Sequence, residues 1–456
     1  MFRPHTPTTA LILAITLFSG VLTNSLRAGD GVTMSEEAAD GKSPQGAPAS
    51  GSFTGPGSCA AAACHGSIRP VAGSRILQTE YTTWIAQDRH ARASEVLSNP
   101  VSVRMAGILG IGAAHTASKC LACHSLEVAD AQQARSFADE GVSCEACHGP
   151  ASGWLGPHTT KDWTHLQSVA LGMYDTKDPV KRTERCLTCH LGTARKFVDH
   201  EMIAAGHPDL VFDLEAFSAA MPRHWRAASE ADPFAPVRSF SIGQLVHLRS
   251  SLDRLAQRVT GPVWPEYAEL DCFACHHSLT RAEDSWRQAQ GYENRRPGNP
   301  ALNLSRWTTA RHVLAALDEP AARELNEVMS ALARDGSRLR VDSKQVVGHI
   351  ERARAILDRG IARAVASKPD ARTGTALLRA IASEAEAIAA RGERSAEQAA
   401  MALETLYTAS ATRESSPAVR ALFDELFQQF QSPSSFDPRR FVAQVRKVEG
   451  AIGATR

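Results

Sequence analysis

The chain has 456 residues, 50 Lys+Arg against 49 Asp+Glu, a formal charge of +1 and 43% hydrophobic residues. That balance leaves no basic footprint for nucleic acid, and the composition is not that of a collagenous, disordered or polytopic membrane protein. Aromatic residues make up only 6%, against ten cysteines and 17 histidines, so something besides Phe, Tyr and Trp is expected to fill part of the interior.

At the N-terminus, Arg3, the apolar run from Ala10 to Leu22 and the small residue Ala28 read as an export signal over residues 1–28. The run is shorter than the about 20 residues that span a bilayer; left uncleaved, it would anchor an otherwise non-integral chain. Residues 29–57 are rich in Gly, Ser, Ala, Pro and acidic side chains and read as a flexible linker, with folded structure expected from Ser58.

All ten cysteines lie between Cys59 and Cys275 and form five pairs. Cys120/Cys123-His124, Cys144/Cys147-His148, Cys186/Cys189-His190 and Cys272/Cys275-His276 have two intervening residues and an abutting histidine. The pair Cys59 and Cys64, followed by His65, has four small residues between its cysteines. These four are expected to loop out without disturbing either thiol or His65. Disulfides do not demand a histidine after each second cysteine, and an abutting histidine is poorly placed to join a zinc tetrahedron. Covalent haem c attachment demands both: two thiols for the vinyl groups and an imidazole for the iron. At this histidine frequency, five chance neighbours in five come to about one in ten million. Five haem c groups are therefore expected, with His65, His124, His148, His190 and His276 as proximal ligands. Haem joins such chains after export, so a bacterial periplasmic or exterior location is expected.

A second axial ligand distinguishes a low-spin carrier from an open site. Histidines outnumber the methionines that follow the linker, which favours bis-histidine ligation. His90, on an expected helix from Tyr81 to Leu97, and His158, ten residues past His148, are candidates. So are His207 and His200, seven residues apart on one expected helical face, and His224, His115 and His312. His277 is expected to make local hydrogen bonds, and His165, His247 and His349 to be structural or surface residues.

Glu80-Tyr-Thr-Thr-Trp84, Asp88-Arg-His90-Ala-Arg-Ala93, Cys120-Leu-Ala-Cys123-His124 and Gly141-Val-Ser-Cys144-Glu-Ala-Cys147-His148-Gly149-Pro150 together resemble a multihaem cytochrome family. It includes the tetrahaem electron acceptor of hydroxylamine oxidoreductase and, more distantly, that oxidoreductase and pentahaem nitrite reductase. The resemblance runs over about residues 55–280 and implies stacked haem pairs with ligands crossing between motifs. It implies that His90 ligates the third haem and His158 the first. In the tetrahaem relatives the second haem lacks a sixth protein ligand; here that would turn on His115. No Cys-x-x-Cys-Lys motif occurs and there are five motifs rather than eight, which argues against transferring either enzyme's chemistry.

The expected fold is mainly α: a pentahaem domain over 58–300 in which haems are the core, wrapped by short helices and long loops, then a C-terminal helical domain over 301–456. In the latter, Val346, Ile350, Ala353, Leu357 and Ile361 recur at helical spacing, as do Leu377, Ile381, Ala385 and Ile388, and Val419, Leu422, Phe423, Leu426, Phe427 and Phe430. Pro320, Gly360, Pro369 and Pro417 punctuate them. These stripes suit an intramolecular core or self-association. The function expected is electron carriage between redox protein partners whose identity the sequence does not supply. The alternative is a haem enzyme acting on hydroxylamine, nitrite or nitric oxide at a five-coordinate iron.

Overall fold

The computed structural model describes residues 51–128, 136–226, 232–272, 275–276, 299–338, 340–410, 416–431 and 436–454. The expected export signal, the linker up to residue 50, and His277 lie outside the described residues. Among those described the fold is mainly helical, with no β-strand and one isolated antiparallel bridge, Leu270 to Leu302. No described helix is long and apolar enough to cross a membrane.

The motif-bearing part contains α1 (Glu80–Gln87), α2 (Pro100–Leu109), α3 (Ser118–His124), α4 (Cys144–His148), α5 (His165–Ala170), α6 (Pro179–His190), α7 (His200–Ala205) and α8 (Leu214–Ala220), followed by the long α9 (Ala235–Val259). Capping fixes where several begin. Asn99 accepts from the Ser102 amide ahead of Pro100, and Asp178 accepts from Val180 and Lys181 ahead of Pro179. Proline at the first helical turn gives up an amide that would be unpaired there anyway.

The second part contains α10 (Trp307–Leu317), α11 (Glu319–Gly336), α12 (Ser343–Ala366), α13 (Ala371–Ser383), α14 (Ala385–Ala389), α15 (Glu393–Ser410), α16 (Pro417–Phe427) and α17 (Pro438–Ala454). The three apolar stripes face inward as their period demands: Ile350, Ala353 and Leu357, then Ile381 and Ile388, then Phe423 and Leu426, are all buried. Pro320 and Pro417 do stand at helix starts. Gly360 does not interrupt anything. It lies inside α12, where an added Cβ would come within 2.7 Å of Leu314 Cδ1, so glycine serves close helix packing at this position.

The two parts differ in what fills them. The main apolar core begins at Leu187 and runs through α9 to α17. The motif-bearing part has only a small cluster of its own, Leu97, Ala106 and Ala114 with Ile111, Cys120 and Leu121 around it. Helix α9 packs along α12 on one side and against α6 and α8 on another, so the fourth motif, at the end of α6, rests directly on the large core.

Residues 51–57, read from composition as the end of a flexible linker, are held in place. The Thr54 and Gly55 amides donate to the Glu145 carboxylate, the latter at 2.7 Å, and the Ser52 amide donates to Ser152 Oγ at 2.8 Å. The Ala151 amide completes the grip on Glu145 at 2.7 Å. A buried carboxylate inside the third motif thus fastens the chain just ahead of the first.

Candidate haem-binding site

Each motif presents its histidine from one helical turn or a close variant of it. In α3, α4 and α6 the two cysteines and the histidine close the end of the helix. In the fifth motif the His276 amide donates to the Cys272 carbonyl at 2.8 Å. The first motif has two extra residues, yet the His65 amide still donates to the Cys59 carbonyl, at 3.3 Å. The additional alanines therefore loop out while histidine and first cysteine keep their helical relation. Gly66 closes that loop; a Cβ there would lie 1.9 Å from the Ala60 carbonyl oxygen.

Cys64 sits in a different backbone setting from the other second cysteines. The loop does not leave it placed like the second cysteines of the other helical motifs. Cys123, Cys147 and Cys189 lie within helices, whereas Cys64 lies in a turn over residues 62–65. Its amide donates to the Ala61 carbonyl at 2.8 Å, three residues back, because the inserted alanines tighten the backbone just ahead of it. Cys64 is a half-buried free thiol, and it is Cys59, at the other end of the loop, that reaches a neighbouring motif.

All ten cysteines are free thiols. Among the described residues no group of three or more His, Cys, Asp and Glu could hold a bare metal ion.

The histidines instead meet in pairs. His65 and His158 have ring centroids 6.2 Å apart and planes within 6°; His90 and His190 are 6.1 Å apart, His124 and His207 6.4 Å, and His200 and His276 6.3 Å. Two imidazoles bound on opposite sides of one metal, with bonds of about 2 Å and about 1.1 Å from nitrogen to ring centre, place their centroids about 6 Å apart. Four of the five motif histidines thus have an imidazole at the spacing that a single iron between them requires.

The outer nitrogens are occupied to match. His124 Nδ1 lies 2.8 Å from the Ala93 carbonyl oxygen, His158 Nδ1 2.6 Å from that of Leu155, His207 Nδ1 2.8 Å from that of Pro208, and His224 Nδ1 3.2 Å from that of Pro222. His65 Nδ1 lies 3.0 Å from Glu80 and His90 Nδ1 3.0 Å from Asp88. With the proton on Nδ1, each ring donates outward and leaves Nε2 to face a metal, the usual arrangement of ligating histidines. His165 and His349 do the reverse, placing Nε2 2.8 Å from Asp175 and from Asp335. Five of the paired rings, His65, His90, His124, His158 and His207, follow the first arrangement, which has no signature in the sequence.

Several further expectations change. His90 is opposite His190 of the fourth motif, not at the third as the resemblance implied. It also lies outside the expected α-helix: α1 stops at Gln87 because Asp88 turns its side chain onto the His90 amide, and His90 falls in a short 3-10 helix, Arg89–Arg92. His200 and His207 do not share a helical face, since α7 ends at Ala205 and Gly206 takes φ 117°; the two rings go to different motifs. His115 is exposed, and the ring opposite His124 is His207. His312 lies in α10 with Nε2 3.7 Å from Glu384, and burial lowers it to about 4. Among the described residues no ring contact joins His115 or His312 to a motif histidine. His224 has no ring contact with His148, but after burial it is the neighbour that most lowers the His148 imidazole, to about 4.

The motifs themselves adjoin. Cys59 neighbours Cys144, and Cys123 neighbours Cys189, with Cys59 and Cys189 pushed down and Cys144 and Cys123 up. First abuts third and second abuts fourth. Cys147 is solvent-exposed, yet burial among surrounding atoms pushes its thiol up to about 12, with Cys186 the next influence. The third and fourth motifs therefore adjoin as well. The Gly141 backbone, at φ 62°, seats Val142 against the His90 carbonyl at 2.9 Å; a Cβ on Gly141 would lie 2.5 Å from that oxygen.

Residues 59–149 match the family model of cytochrome c554 and c-prime. The stretch contains the first three motifs, and the match supports a multihaem c-type cytochrome, with covalently held haem and a role in electron transfer. No curated protein and no solved structure matches the chain. The paired imidazoles and free thiols fit that prosthetic group.

Proposed function

We propose that this chain is an exported pentahaem c-type cytochrome that carries electrons between redox protein partners. The observation that carries the reading is the set of four imidazole pairs 6.1–6.4 Å apart, formed between residues distant in sequence. The thiols of each motif would hold a haem, with Cys64 joining Cys59 at the first. The ligand pairs would be His65/His158, His124/His207, His190/His90 and His276/His200. His224 would complete the site of His148. A haem c at each site supplies one-electron exchange at its iron.

The chain's own residues give these sites a continuous order. Cys59 against Cys144 joins the first to the third, Cys147 near Cys186 the third to the fourth, and Cys189 against Cys123 the fourth to the second. Helix α7 then bridges second and fifth, carrying His200 at its start with His207 just past its end. A row of closely spaced sites, four of them with an opposed imidazole, suits transfer rather than small-molecule chemistry.

Intact mass measurement of the mature protein, together with exposure of the reduced protein to carbon monoxide, tests this. Five added haems and no change in the optical spectrum are expected. Fewer haems would remove the pentahaem reading, and a carbon monoxide complex in the unmodified protein would favour the enzyme instead.

A further inference from the structure

The paired histidines differ in what holds their outer nitrogens. In His124, His158 and His207 the Nδ1 meets a peptide carbonyl, which carries only a partial charge. His65 and His90 meet ionisable carboxyls. Glu80 Oε2 lies 3.0 Å from His65 Nδ1 while Oε1 accepts from the Leu77 amide at 2.8 Å. Asp88 Oδ1 lies 3.0 Å from His90 Nδ1 and accepts from the His90 amide at 3.0 Å. Both carboxyl groups are therefore fixed by two bonds each, and the Asp88 side chain is 5% exposed against 17% for Glu80. Among the described residues the only ion-pair partner of each is its histidine, so no lysine or arginine neutralises the charge.

A carboxylate that accepts Nδ1–H draws that proton outward and makes Nε2 the stronger electron donor toward a metal. Its negative charge also favours the more positive state of the metal, more so where water is excluded. A carbonyl does either only weakly. On the reading that Cys59/Cys64-His65 and Cys186/Cys189-His190 each hold a haem, we propose that Glu80 and Asp88 are positioning residues that make the first and fourth haems the low-potential members of the row. The second haem, whose His124 and His207 both donate to carbonyls, sits higher. Asp88, the more enclosed, has the larger effect.

The test is a potentiometric titration of the full-length haem-loaded protein, read optically and by electron paramagnetic resonance, for the unmodified chain, Glu80→Gln and Asp88→Asn. Each amide keeps an oxygen to accept the ring N–H, so ring orientation and low-spin spectra persist while the charge is gone. One single-electron step in each variant is expected to move upward by about tenfold in its reduction equilibrium, ~59 mV for one electron. The larger shift is expected in Asp88→Asn, with Asp88→Glu returning the step toward its original position. Five haems, unchanged low-spin signals and unmoved steps would overturn the inference and leave the haem reading intact. If the unmodified protein carries no haem on Cys59/Cys64 or on Cys186/Cys189, the haem reading itself fails.

Discussion

Glu145 fastens the chain just ahead of the first motif to the third, and Glu145→Ala tests that role. In the native protein its carboxylate is 2% exposed and accepts the Gly55 and Ala151 amides at 2.7 Å each, with the Thr54 amide at 3.0 and 3.1 Å. Thr54 is only partly buried and can turn to water when its acceptor is lost. The other two donors are buried and would be left unpaired. A hydrogen bond to a charged group contributes about 1.5–3 kcal/mol, and an orphaned buried donor costs about 1–3 kcal/mol. Two such donors put the expected loss at about 3–5 kcal/mol, shared between local release of residues 51–57 and global unfolding. Denaturant unfolding of the haem-loaded protein, with limited proteolysis across residues 51–57, separates the two. Glu145→Gln, which keeps one acceptor oxygen, should lose about half as much. A loss below about 1 kcal/mol, with the segment still protected, would refute the argument that this carboxylate is the anchor.

Other substitutions follow from the same geometry. His207→Ala removes the ring 6.4 Å from His124; one iron of five should become high-spin and bind carbon monoxide, whereas His115→Ala should leave the spectrum unchanged. Asp213, buried where α8 meets α9 and α15, accepts from Gln244 at 2.6 Å and from Thr405 at 3.3 Å, and burial raises it to about 6 from 3.8. A raised carboxyl stabilises the fold fully below about pH 4 and loses that contribution as pH rises through 6. The loss amounts to about 3 kcal/mol, so the stability difference between the native chain and Asp213→Asn should vary over that window in denaturant titrations. Gly360→Val forces a side chain against Leu314 and should cost about 1–3 kcal/mol of stability without altering the haem spectrum.

Much of this molecule is legible in its sequence, and the boundary is physical. Motif positions are local: one helical turn brings two thiols and an imidazole together, so Cys144, Cys147 and His148 declare themselves. Cys64 marks the limit of that rule, since its four-residue spacing announces the motif but not the turn that the insertion imposes. The stripe from Val346 to Ile361 is legible because helical period alone decides which side is buried. Partnership between histidines is not local. His90 reaches the fourth motif because Asp88 ends α1 and Gly141 lets the neighbouring segment of chain approach its carbonyl, and neither fact has a period or a spacing. His200 and His207 look like one face until Gly206 ends the helix between them. Glu145 reads as another acid beside a haem, and its use as an anchor depends on amides ninety residues earlier. The division of histidines by which nitrogen is occupied exists only in three dimensions.

Low-temperature electron paramagnetic resonance of the oxidised, full-length protein addresses the pairing of imidazoles most directly, because it counts irons by spin state. Five low-spin ferric centres with no high-spin component are expected, the third owing its sixth ligand to His224. A stoichiometric high-spin signal in the unmodified protein would contradict the account, since it would mean that at least one iron lacks the opposing imidazole assigned to it.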